Sequence, residues 1–205
     1  MKKAIVICCN KNDEVLLHGL EQNLQSVYPE AQLYVAPCSI SPPETTLPKT
    51  TPLRWNTSFI AQDILKAMYL TDCDIVAKID ADTWHLKPYL FSSSQPISGI
   101  QWAHNPFYIL GIGYTLTRKV ITELMVTEPC MSCDRTQEDK EIMYMSRKKF
   151  PNGIEMLPIG TARKASTYDG QEDACVIHLG CDKGIESRIQ YQRLFSLQHS
   201  ERQLK

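Results

Sequence analysis

Apolar positions along this chain fall into short unbroken runs separated by stripes at helical spacing. Residues 4–9, from Ala4 to Cys9, are apolar without a gap, which predicts a strand buried on both faces of a covered parallel sheet. A polar turn, Asn10 to Asp13, follows. Val15, Leu16, Leu20 and Leu24 then recur at helical spacing, and Tyr28-Pro29 marks the end of that helix. Ala31 to Ala36 predicts a second strand, so the opening is a βαβ unit and the sheet is at least partly parallel. The pattern continues with a helix over 57–69, carried by Ile60, Ile64, Leu65 and Met68, and a strand over 74–79 that runs directly into Asp80-Ala81-Asp82. Further strands are expected at 97–102, at 107–116 where Gly111 and Gly113 interrupt it, and at 176–179. Helices are expected at 118–126 and 138–149, the second stopped by Pro151-Asn152-Gly153. The tail from Gly184 is polar with a weak helical period. Five prolines between 37 and 52 predict a long loop within the domain.

Composition narrows the class. With 205 residues the chain is expected to form a single domain, 1–205, whose two halves are 1–90 and 91–205. Lys and Arg number 22 against 23 Asp and Glu, and this balance argues against a protein that grips a polyanion along a broad basic face. The apolar run near the N-terminus is too short for a signal peptide, and no run approaches a membrane span. A cytoplasmic location, in a bacterial cell or the host cell of a virus, is therefore the expectation, with no transmembrane segment. The eight cysteines are then expected to be reduced. Cys130 and Cys133 have zinc or redox spacing, but Cys175 and Cys181 do not complete a tightly spaced second pair, so the two are read as structural or incidental thiols.

The chemistry is concentrated in Asp80-x-Asp82. Two carboxylates one residue apart, at the carboxyl end of a buried strand, lie where open α/β sheets bind ligands. Their mutual repulsion calls for a cation, and a hard divalent ion with few protein ligands completes its shell with water and substrate phosphates. A solvated acidic turn is the plain alternative, since a lone D-x-D is common.

The order of motifs resembles nucleotide-sugar glycosyltransferases of the GT-A fold: a helix, a hydrophobic strand, Asp80-Ala81-Asp82, then Trp84 and Leu86. Tyr108 to Arg118, with Gly111 and Gly113, resembles the acceptor-side segment of the fringe and β-1,3-galactosyltransferase families. Gln137-Glu138-Asp139 stands where those enzymes carry a Glu-Asp pair at a helix start. His178 follows an apolar strand, where many GT-A enzymes supply a metal ligand. Lys140-Glu141-Ile142 departs from the Val and Gly that usually follow the pair.

The resemblance implies an α/β, Rossmann-like three-layer sandwich with a mostly parallel central sheet. Its half 1–90 would bind the donor and 91–205 the acceptor. It implies Mn²⁺ or Mg²⁺ held by Asp80, Asp82 and His178, and a nucleotide-sugar donor, a UDP-sugar foremost. Asn10, Lys11, Asp13, Arg54, Asp80 and Lys183 are the expected donor contacts. Trp102, Tyr108, Gly111, Gly113 and Tyr114 are expected on the acceptor side, with Trp84 as a further candidate for the sugar-stacking wall, and Trp55 is a candidate, beside Arg54, to stack on the donor. Asp139 is the expected general base, with Glu138 orienting it, and a carboxylate in that role implies inversion at the anomeric carbon. His18, His85, His104 and His199 are read as ordinary histidines.

Three rivals stand beside this reading. A sugar-phosphate nucleotidyltransferase needs a glycine-rich phosphate loop after the first strand, and Cys8 to Asp13 contains no glycine. A non-catalytic carbohydrate-binding domain has no use for Asp80, Asp82, Asp139 and His178 together. In the third the same chemistry acts on a hydroxylated base in DNA; the near-neutral charge disfavours it, while Arg147-Lys148-Lys149 and Arg163-Lys164 keep a nucleic-acid acceptor open.

Overall fold

The computed structural model describes the backbone of residues 1–9, 11–37, 57–102, 105–127, 138–158, 161–170, 173–180 and 184–203, with side chains throughout these except at 11–12, 37, 57–60, 102, 105–108 and 199–203. The central sheet is built from β1 (Lys3–Cys9), β2 (Ala31–Pro37), β3 (Ile75–Asp80), β5 (Ile97–Trp102), β6 (Asn105–Thr117) and β7 (Ile154–Leu157), in the order β2-β1-β3-β6-β5-β7. β1 is parallel to β2 and β3, and β5 is parallel to β7. Only β6, antiparallel to both β3 and β5, runs the other way. A smaller sheet joins β4 (Thr83–His85), β9 (Val176–His178) and β8 (Ala162–Lys164), with β9 in the middle. The helices are α1 (Leu17–Val27), α2 (Thr57–Leu70), α3 (Arg118–Met125), α4 (Glu138–Lys149) and α5 (Ile185–Gln203).

The uninterrupted apolar run of β1 has the burial expected of it. Ala4, Val6 and Cys8 face one core together with Ala61, Ile64, Leu65 and Met68 of α2, Val120, Ile121 and Leu124 of α3, and Ile142 and Met145 of α4. Ile5, Ile7 and Cys9 face the opposite core with Leu20 and Leu24 of α1. Alternation of side chains across one strand therefore separates two helical layers. A third cluster, with Leu16, Trp84, Ile177 and Phe195, packs the small sheet beneath α5. The result is an α/β fold with a mostly parallel central sheet between helices.

Several details differ from the sequence reading. The first helix begins as a 3₁₀ turn over Lys11–Leu16, with α1 proper starting at Leu17; Leu16, Leu20 and Leu24 are fully buried, but Val15 is exposed. Gly111 and Gly113 do not interrupt β6, which is continuous over thirteen residues. The polar tail is a nineteen-residue helix, and β4, β7 and β8 had no counterpart among the expected strands. The proline loop and the Cys130/Cys133 pair lie outside the described residues.

Gly113 is a packing requirement. A Cβ there would overlap the hydroxyl of Tyr89, which is itself buried. Gly113→Ala is expected to cost about 1–3 kcal/mol, the usual penalty for overfilling a tight core. Chemical denaturation measures it, and Tyr89→Phe in the same chain should recover part of the loss.

Candidate functional site

The carboxyl ends of β1 and β3 meet the middle of β6, because the antiparallel register places Ile79 opposite Gly113. The chain turns sharply after Asp80. The Ala81 N–H donates to the Cys8 carbonyl (3.1 Å), the Thr83 hydroxyl to the Asp80 carbonyl (2.8 Å), and the Leu179 N–H to the Asp82 carbonyl (2.8 Å). These bonds pin the acidic turn between β1 and β9. They also send its two carboxylates to different partners.

Asp80 belongs to a cluster centred on Lys78. The Lys78 ammonium donates to Asp80 Oδ1, to Glu138 Oε1 and to the Gly111 carbonyl, each at 2.6 Å. Its side chain is only 2% exposed. Burial alone would discharge it, but the adjoining Asp80 and Glu138 carboxylates outweigh that and hold the ammonium charged, well above its ordinary range. Burial, opposed by Lys78 and reinforced by Glu138, raises Asp80; the 35% exposure of its side chain tempers that rise.

Asp139 stands beside this cluster without a side-chain cation of its own among the described residues. Its Oδ1 accepts the Lys140 N–H at 2.8 Å. Burial, with the neighbouring Glu138 charge, pushes its carboxyl up to about 6. Gly111 makes room for the pair: a Cβ there would lie 3.3 Å from Glu138 Oε1 and 3.5 Å from Asp139 Oδ2.

Asp82 belongs to a second cluster. His178 Nε2 lies 3.2 Å from Asp82 Oδ2, and Arg188 Nη1 lies 3.6 Å from the same oxygen and 2.5 Å from Asp13 Oδ1. The Arg188 Nε donates to the Gly180 carbonyl at 2.9 Å. Burial would raise Asp82, but the His178 ring and the Arg188 guanidinium outweigh it and hold the carboxyl below its usual range.

The structure thus brings together Asp80 with Glu138, and Asp13 with Asp82 and His178. Where the sequence reading placed one cation between two repelling carboxylates, each carboxylate has a protein cation of its own. Tyr114 is not an open sugar platform: it is fully buried and its ring lies 5.7 Å from the Lys78 ammonium. Gly113 faces Tyr89, and Trp84 is core. His85 is buried in a stack on Tyr89, and loss of hydration lowers its ring to about 3, so it is a neutral core histidine. Asn10, Arg54, Trp55 and Lys183 lie outside the described residues, as do the side chains of Lys11, Trp102 and Tyr108.

Two cations were missed from the sequence. Lys78 carried a signal, being a lysine inside an otherwise apolar strand that had to be buried. Arg188, in a polar tail, carried none.

Among the described residues no three His, Cys, Asp or Glu side chains form a metal-binding group. Asp82 and His178 are nevertheless two donors of a kind that suits a divalent ion. Adjacent ligands of an octahedral ion with bonds of about 2.1 Å stand about 3 Å apart, close to the 3.2 Å between Asp82 and His178. Two protein ligands, with water and phosphate oxygens filling the remaining positions, is a common arrangement for Mg²⁺.

No family model matches this sequence, and no curated protein matches it. Among solved structures, the fold is similar to that of a glycosyltransferase involved in the glycosylation of the major capsid of PBCV-1. The TM-score is 0.56 at 12% identity, covering 95% of this chain and 100% of that one. No helix among the described residues is long and apolar enough to cross a membrane.

Proposed function

We propose that the chain is a glycosyltransferase of the GT-A type that moves a sugar from a nucleotide diphosphate sugar, a UDP-sugar foremost, to an acceptor hydroxyl with inversion. The observation that carries the reading is the contrast between two carboxylates in neighbouring clusters, one held by cations and one raised by burial. Asp82 is held ionised beside His178 and Arg188, whereas Asp139 is raised to about 6 at the start of α4. An ionised group suits a cation or a phosphate-bearing ligand. A carboxylate poised near neutrality suits proton transfer. The likeness to a glycosyltransferase fold supports the same class.

Asp82 and His178 would hold the ion, which when bound supplies Lewis-acid stabilisation of the departing diphosphate. Asp80, held by Lys78, would accept from the donor ribose. Glu138, held by the same ammonium, orients the start of α4, and Asp139 is left to take the acceptor proton. The structural neighbour's part in capsid glycosylation favours a glycan or protein hydroxyl as acceptor over a base in nucleic acid.

A panel of nucleotide-sugars tested by thermal shift with Mn²⁺, and again with excess chelator, checks this directly. A matched donor raises the melting temperature by mass action only when the ion is present, and transfer or hydrolysis should stop in chelator and in Asp82→Ala. Full activity in chelator would remove the metal from the scheme, and a flat response across the panel would remove the donor class.

A further inference from the structure

We propose that Arg188 is the resident cation of the donor site, restraining a bare divalent ion at Asp82 while favouring the diphosphate group of the donor. This rests on the glycosyltransferase reading and concerns the same site.

Arg188 reaches the acidic turn from α5, an element remote in sequence from Asp80-x-Asp82. Its position is set by how that helix docks. Gln192, one turn further along, donates from Nε2 to the Leu16 carbonyl at 2.8 Å. Gly19 leaves space for this contact, since a Cβ there would stand 2.9 Å from the Gln192 Cδ. Phe195 is buried among Leu16, Trp84 and Ile177. The guanidinium is then fixed from two sides by the Gly180 carbonyl and Asp13, with its side chain 18% exposed. A guanidinium presents a planar fork of five N–H donors, the geometry that matches phosphate oxygens.

Charge decides what such a group does. Arg188 sets one positive charge against the negative charges of Asp13 and Asp82. A divalent ion at Asp82 is repelled by that charge, whereas the dianionic diphosphate of a nucleotide-sugar is attracted by it. Without Arg188 the ion is held more strongly and the loaded site attracts a diphosphate less. Arg188 therefore acts in opposite directions on the two ligands. A residue that merely held α5 in place would weaken both.

The test measures Mn²⁺ binding alone, by EPR or calorimetry, and inorganic pyrophosphate binding in the presence of Mn²⁺. The proteins are wild type, Arg188→Gln, Arg188→Lys and Asp13→Asn. In Arg188→Gln, Mn²⁺ should bind about tenfold more tightly and pyrophosphate about tenfold more weakly, the order expected of one unit charge several ångströms away at a high effective dielectric. Arg188→Lys keeps the charge and should leave Mn²⁺ affinity near wild type. Asp13→Asn is the converse change, with Mn²⁺ weakened and pyrophosphate strengthened, and it decides the matter if Arg188→Gln does not fold. Both affinities falling together, or neither moving, overturns the role of Arg188 alone. Wild-type protein that binds pyrophosphate under no condition overturns the glycosyltransferase reading and this inference with it.

Discussion

Asp139→Asn is expected to lower turnover by about a hundred- to ten-thousand-fold while leaving donor affinity near wild type. A positioned general base is worth that range. The substitution preserves size but cannot accept the acceptor's proton. The choice of Asp139 over Glu138 follows from occupancy: Glu138 Oε1 is bound by the Lys78 ammonium at 2.6 Å, whereas Asp139 meets backbone donors and lies at the edge of the cluster. Its carboxyl is raised to about 6 by burial. Below that pH it is protonated and idle; above it, it is ionised and able to take a proton. The kcat/KM of the wild type should therefore rise through about pH 6, and the residual activity of Asp139→Asn should lose that rise. NMR of the product reports the anomeric configuration, with inversion expected. Turnover retained in Asp139→Asn, or a product of retained configuration, places the base elsewhere. If Glu138→Gln alone abolishes transfer, the two roles are exchanged within the pair.

The layered architecture was legible because β1, β3 and the α2 stripe carry strong periodic signals over six to fourteen residues. Among the short elements, β9 was legible as the apolar run at 176–179, but three others were not. β4 and β8 have three residues each and β7 has four, too few to establish a period against the surrounding polar sequence. α5 was read as a weakly helical tail because few of its apolar residues are sunk into the core. At the site, Asp80, Asp82, Glu138, Asp139 and His178 were picked out by type and order, but their pairing was not. Residues two apart on a strand share a face, yet the turn after Asp80 breaks that rule and turns Asp82 towards β9. Aromatic residues misled in the opposite sense. Tyr114 and Trp84 were considered as ligand walls, and their volume is used to fill the interior instead. Lys78 was the overlooked clue: a lysine between Ala77 and Ile79 in a doubly covered strand requires buried carboxylates nearby, and the acidic residues needed to satisfy it were already in view.

Removing that lysine should have the largest effect on the fold. Lys78→Met retains most of the alkyl volume, so little is lost in packing, but Asp80 and Glu138 are left facing each other with their shared cation gone. Breaking a buried pair from one side costs about 3–5 kcal/mol, because an uncompensated charge remains. Here two remain, although Asp80 is partly open to water and can recover some hydration. Denaturant unfolding at neutral pH should show a loss of this order. Lys78→Met combined with Glu138→Gln should recover part of it, since one of the two charges is then absent. The pH dependence separates charge from packing. Burial and the Glu138 charge already raise the Asp80 carboxyl, so without Lys78 the penalty for ionising it is absent at low pH and grows as pH rises through the folded value. The deficit of Lys78→Met relative to wild type should accordingly be smaller at about pH 4 than at pH 8. An equal deficit at both would mean that the loss comes from altered packing around β3, and not from the ammonium's charge.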